Sequence, residues 1–159
     1  MQTFSRIKVI DFSTIPIFVE ANSDATLQVV GELAHTLSTD VRTLSSADRL
    51  RLHIAAVFSC NFTNHCMTLA DRMMREAGLD FHLLMPLIRE TFRKLEQMPP
   101  AEAQTGPAAR GDKGVMRKHL DMLDDVTMRR IYADMSESIM AKAPLFPSPL
   151  SPKGREGSE

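Results

Sequence analysis

Two stretches of the sequence hold side chains with the means to do chemistry. The first runs from Leu52 to Ala70, nineteen residues without an Asp, Glu, Lys or Arg. At 100° per residue a helix here turns His53, Cys60, Asn61, Asn64 and Thr68 into one arc of roughly 100°. The second is Gln104-Thr105-Gly106-Pro107-Ala108-Ala109-Arg110-Gly111-Asp112. It reads as a rigid turn presenting Thr105, Arg110 and Asp112 toward a pocket, with His119 one or two helical turns beyond. A guanidinium on such a turn can clamp a carboxylate or phosphate by two parallel hydrogen bonds. Each cluster also has a purely structural reading. His53, Asn61 and Asn64 would form a hydrogen-bond network fixing helix register. Arg110 and Asp112 would form an ion pair pinning their own loop, while His119 caps or packs.

Other chemistries fit poorly. Gly106, Gly111 and Lys113 hint at a phosphate loop, but no strand leads in, Pro107 lacks an N–H, and Asp112 occupies the lysine position of that motif. His53, Cys60, His65, Cys66 and His119 contain no ligand pair on a common helical face, so no metal is expected. Cys60 and Cys66 lie about 9 Å apart along a helix axis and roughly 120° around it, too far to pair. Reduced thiols and a cytoplasmic location follow as the simple expectation.

The elements that must hold these residues can be read in turn. Ser45 to Ala77 predicts the central helix: Ser45 or Ser46 caps it, Asp48 suits its first turn, and Gly78 ends it. Ile54, Phe58, Phe62, Leu69 and Met73 line a second, apolar arc, so both faces are expected to be buried, by the rest of the chain or by a second copy. His53, Ser59, Asn61, Thr63, Asn64, His65 and Thr68 are too polar a set for a membrane span. Upstream, residues 15–21 predict a strand that tolerates Pro16 only near its start, residues 24–37 a helix capped by Asn22 or Ser23, and residues 41–44 a second strand. Such a β-α-β unit leaves its sheet edges open and reads as the end of a larger sheet. Downstream, residues 79–98 predict a helix that Pro86 kinks or splits near Leu84 to Met85 and that Pro99 and Pro100 stop. Residues 101–114 form a loop, residues 115–124 and 127–141 predict two more helices, and residues 143–159, with four of the nine prolines, should be disordered.

A chain of 159 residues with 43% hydrophobic and 25% charged residues has an ordinary globular composition. Its net charge of −1 gives no reason to expect nucleic acid or an anionic membrane as a partner. The opening MQTFSRIKVIDF lacks the apolar core of a secretion signal. Eleven Met without a Trp suggest adaptable packing between helices.

The runs LHIAAVFSCNFTNH (Leu52 to His65) and AQTGPAARGDKGVMRKHLDML (Ala103 to Leu123), with MQTFS and IPIFVEA before them, resemble Rossmann-like oxidoreductases that end in the domain of unknown function 2520. These are similar to pyrroline-5-carboxylate reductase and the wider 6-phosphogluconate dehydrogenase group. The resemblance implies a mainly α fold: a helical 6-phosphogluconate-dehydrogenase-C-terminal-like domain preceded by a residual β-α-β piece of a Rossmann sheet. On that reading residues 1–44 are the remnant of the nucleotide-binding domain, residues 45–142 the helical dimerisation and substrate domain, and residues 143–159 a disordered tail. The family's NAD(P) is held by a Gly-rich loop in a preceding domain, and the seven glycines here contain no G-x-G-x-x-G. The expectation is thus a truncated chain that binds no cofactor alone. The resemblance further implies a homodimer with a substrate pocket between the helical and nucleotide domains. It makes His53, Asn61, Asn64, Thr105, Gly106, Pro107, Arg110, Asp112 and His119 candidates for that pocket.

The function expected is the substrate-binding and dimerisation part of an NAD(P)-dependent oxidoreductase acting on a small C=N or C=O compound. Hydride would come from the nicotinamide, Arg110 would fix an anionic group, and His53 or His119 would protonate the nitrogen or oxygen. The alternative is a non-catalytic helical homodimer with an assembly or regulatory role.

Overall fold

The computed structural model describes residues 11–141. The expected disorder of residues 143–159 lies outside them. The chain divides into two compact units between Glu76 and Ala77. The central helix is grouped with the β-α-β piece in the first unit.

In the first unit β1 (Ile17–Val19) and β2 (Val41–Thr43) pair in parallel, Ile17 opposite Val41 and Val19 opposite Thr43. The helix α1 (Asp24–His35) makes the crossover, and Ser23 caps it by accepting the Thr26 N–H. Each strand is three residues long with one ladder neighbour, and each carries two β-branched residues, Ile17 and Val19 in β1 and Val41 and Thr43 in β2. Pro16 sits just before β1, where its missing N–H costs no ladder bond. Ser38 is the buried polar residue of this unit. Its Oγ donates to the Ile15 carbonyl at 2.7 Å and accepts the Asp40 N–H at 3.1 Å, fastening the two strand entries together.

The predicted central helix forms in three continuous segments: α2 (Ser46–Ala56), a π-helical stretch (Val57–Phe62) and α3 (Thr63–Glu76). Ser45 caps its start through the Asp48 N–H, and Gly78 follows its end at φ +67°. The π stretch departs from the sequence expectation. Its wider turn advances each residue by less than 100°, so the arc drawn through His53, Asn61 and Asn64 on an ideal helix does not hold across it. The Thr63 hydroxyl donates to the Phe58 carbonyl five residues back, at 3.2 Å, and so supports the wide turn. The expected burial of both faces is not met within the chain: Ile54, Phe58 and Phe62 are each exposed by half or more. Ordinary soluble surfaces rarely gather such residues on one helix.

The second unit opens with a 3-10 turn at Phe81–Leu84 and then α4 (Met85–Leu95), which starts with Pro86 in its first turn. The break falls where the sequence places it, because the proline ring forbids a helix continuing from the N-terminal side. The stretch expected to be a loop contains two single-turn helices, α5 (Pro100–Ala103) and α6 (Pro107–Arg110), each opened by a proline whose fixed φ suits a first helical position. Next come α7 (Lys113–Asp121), capped by Asp112, and α8 (Val126–Met140), capped by Asp125. Ala108, Met116, Leu123 and Met128 are its buried apolar residues, and they join α6, α7 and α8 into one core.

No helix among the described residues is long and apolar enough to cross a membrane.

Candidate functional site

In the first unit the strand entry and α2 enclose a groove of about 370 Å³ lined by Thr14, Ile15, Pro16, Phe18, Arg49, Leu52, His53 and Ala56. Arg49, His53 and Ala56 recur at four and three residues, which brings them onto one side of α2. That side is held against β1 by Glu20. The Glu20 carboxylate accepts the Ser46 N–H at 2.8 Å and the Ser46 hydroxyl at 2.6 Å, and it pairs with the Arg49 guanidinium. These bonds, the Ser46 hydroxyl first and Arg49 last, lower the Glu20 pKa below its ordinary value. Any stability they give is complete above the ordinary glutamate range and is lost as pH falls through that range toward the lowered folded value.

His53 is the one residue of the expected set on this groove. Asn61 and Asn64 lie beyond it on the same long helix and are exposed. Their side chains make no hydrogen bond among the described residues, so the register-fixing network does not form among them. What Asn64 contributes is its carbonyl, which accepts the Thr68 hydroxyl at 3.2 Å. Arg49 and Glu20 were missed by the sequence reading. Arg49 stands one turn before His53, and that spacing was available as a signal; Glu20 meets Arg49 across 29 residues and had none.

The other candidates belong to the second unit. Gly106 has φ +104° and ψ 176°, a conformation open essentially to glycine alone, and Pro107 follows it as the first residue of α6. Gly111 ends α6 in the left-handed region at φ +69°, and its N–H and that of Asp112 close the turn onto the Ala108 and Pro107 carbonyls. The turn is therefore as rigid as its sequence implies. A Cβ on Gly106 would meet no atom within 4 Å, so the cost of Gly106→Ala is backbone strain alone, about 1–3 kcal/mol. Thermal or urea unfolding of the variant checks this value.

Arg110 and Asp112 do not pair. The Asp112 side chain instead accepts the Val115 N–H at 3.0 Å and caps α7. Arg110 is exposed, with no partner among the described residues. Thr105 is exposed, and its carbonyl accepts from Gln104 at 2.9 Å. Because nothing among the described residues holds the Arg110 guanidinium, Arg110→Lys is expected to leave the melting temperature within about a degree, the behaviour of an unengaged surface residue. His119, on the last turn of α7, has Nδ1 2.9 Å from the Tyr132 hydroxyl of α8, with the two rings edge to face at 5.8 Å. That contact fixes the imidazole and leaves Nε2 as its open nitrogen.

A Rossmann site seats the pyrophosphate on a glycine turn between a strand and a helix N-terminus. The turn between β1 and α1 is Glu20-Ala21-Asn22-Ser23, with no glycine, an acidic side chain, and the Ser23 hydroxyl committed to Thr26. The described residues with glycine-like φ are Gly78, Gly106 and Gly111, none of them there. This β-α-β piece does not fit the pyrophosphate.

A short parallel β-α-β piece followed by a run of helices defines a mainly α, Rossmann-derived class of domain. Within that class the chain belongs to the family described as Domain of unknown function (DUF2520), which it matches over residues 15–139. It is 45% identical to a proposed NADP oxidoreductase from Bacteroides fragilis of solved structure, with a TM-score of 0.81 over 89% of this chain and 55% of that one. A protein from Thermotoga maritima shares the fold at a TM-score of 0.58 and 22% identity, over 74% of this chain and 50% of that one. The chain thus spans about half the length of these solved relatives. No curated protein matches it.

Proposed function

We propose that this chain is the substrate-binding and dimerisation part of an NAD(P)-dependent oxidoreductase acting on a small C=N or C=O compound. The observation that carries the reading is the groove over α2, where an imidazole and a guanidinium face a cavity with apolar walls, in a chain 45% identical to the Bacteroides fragilis protein. A cavity of this size suits a small molecule. His53 stands where it can pass a proton to a bound nitrogen or oxygen. His119 offers Nε2 for the same task from the second unit, where Thr105, Gly106, Pro107, Arg110 and Asp112 shape a turn with one open cation. Asn61 and Asn64 supply exposed amide donors and acceptors. Residues 1–44 are assigned to the end of the nucleotide-binding domain and residues 45–142 to the helical domain. Hydride transfer belongs to the polypeptide that holds the dinucleotide, and no step of it is given to these residues.

The homodimer forms along the central helix, whose exposed Ile54, Phe58 and Phe62 need cover. The exposed Leu83 of the 3-10 turn and Leu87 of α4 also favour a second reading, a helical dimer serving assembly or regulation. The free thiols of Cys60 and Cys66 suit a reducing cytoplasm.

Calorimetry tests the division of labour. This chain alone is expected to give no heat of binding with NADPH at micromolar concentrations. A chimera that joins the unmatched part of the Bacteroides fragilis protein to this chain should bind NADPH. Low-micromolar binding by the chain alone contradicts the assignment.

A further inference from the structure

The groove holds two groups able to carry positive charge, His53 and Arg49, and the sequence reading gave the anion-binding task to neither. Arg49 is anchored at one end. Its Nη2 donates to the Glu20 carboxylate and, at 2.9 Å, to the Ser46 hydroxyl. Both partners lie outside the groove lining, whereas Arg49 itself is part of it. The two Nη2 hydrogens are thereby used. Nε and Nη1 have no partner among the described residues, which leaves three N–H donors on a guanidinium whose side chain is 43% exposed. An arginine held this way has already lost most of the rotamer freedom that binding would remove. The rest of the lining suits a small molecule with one anionic end. Ile15, Pro16, Phe18, Leu52 and Ala56 form an apolar wall, and His53 follows Arg49 by one helical turn.

We propose that Arg49 is the anchor for a carboxylate on the molecule bound in this groove, so that the substrate class is a small carboxylate with its reducible carbon near His53. Glu20 and Ser46 act as positioning residues for that guanidinium. The proposal rests on the functional reading above, yet it concerns binding alone and can fail without it. Arg110, the exposed cation on the turn of the second unit, is the competing anchor.

The probes are benzoate and its uncharged match benzamide, titrated into the full chain labelled with 15N. The Nε–H signals of Arg49 and Arg110 and the ring signals of His53 are followed by NMR. Benzoate is expected to shift Arg49 and His53 saturably, with an affinity at least tenfold above that of benzamide, and Arg49→Lys should remove that preference. The comparison of the two probes needs no variant, so the outcome does not depend on how Arg49→Lys folds. Equal affinity for benzoate and benzamide overturns the proposal. So does a benzoate shift at Arg110 with Arg49 unmoved, a result that would keep the oxidoreductase reading and move the anion to the second unit. Phosphate that shifts Arg49 while benzoate does not overturns the carboxylate assignment.

Discussion

Replacing Phe58 with Asp is expected to convert a dimer at micromolar concentration into monomers while leaving the isolated chain folded. Phe58 is 63% exposed within the chain and Phe62 50%, their rings in edge-to-face contact at 5.1 Å. Inside one chain the substitution therefore costs little: about 0.5–1.5 kcal/mol for the aromatic pair and otherwise the small change of a surface position. Between two chains the cost is of another order. Each protomer loses the burial of a phenylalanine, about 1.5–3 kcal/mol, and must bury a carboxylate without a partner. Even about 3 kcal/mol in total weakens association more than a hundredfold. Light scattering on wild type and variant decides. A wild-type mass of one chain, or a variant mass of two, removes the central helix from the interface.

The second large effect concerns His53. In the NADPH-binding chimera, His53→Ala is expected to lower kcat by about 10²–10⁴, the range for loss of a positioned general acid. His119→Ala should cost less, because the His119 ring is held by the Tyr132 hydroxyl, whereas His53 lines the groove over α2. Steady-state rates for both variants rank the two imidazoles. A larger loss at His119 would transfer the protonation to the second unit.

Local rules made most of the elements legible. Ser45 and Ser23 stand as caps because a short polar side chain before a helix satisfies an otherwise orphaned N–H. Pro86 divides its helix, and Gly78, Gly106 and Gly111 adopt the positive φ that other residues avoid. The family resemblance, carried by the motifs at Leu52 and Ala103, is met by the family match over residues 15–139. What escaped is whatever depends on distance in sequence or on an irregular turn. An ideal wheel cannot foresee six π-helical residues, so the phase between His53 and Asn61 was drawn too simply. The contact of Glu20 with Ser46 and Arg49 spans 26 and 29 residues, and no periodicity marks it. Asp112 illustrates a third case: its type suggested a partner for Arg110, whereas its carboxylate accepts the nearer Val115 N–H and caps α7.

The most direct measurement follows NADPH absorbance with the chimera over a panel of small imines and carbonyl compounds, each with and without a carboxylate. The account predicts steady oxidation with at least one carboxylate-bearing compound and its loss in His53→Ala. A chimera that is dimeric and binds NADPH, yet oxidises it with none of them or equally well without His53, would contradict it.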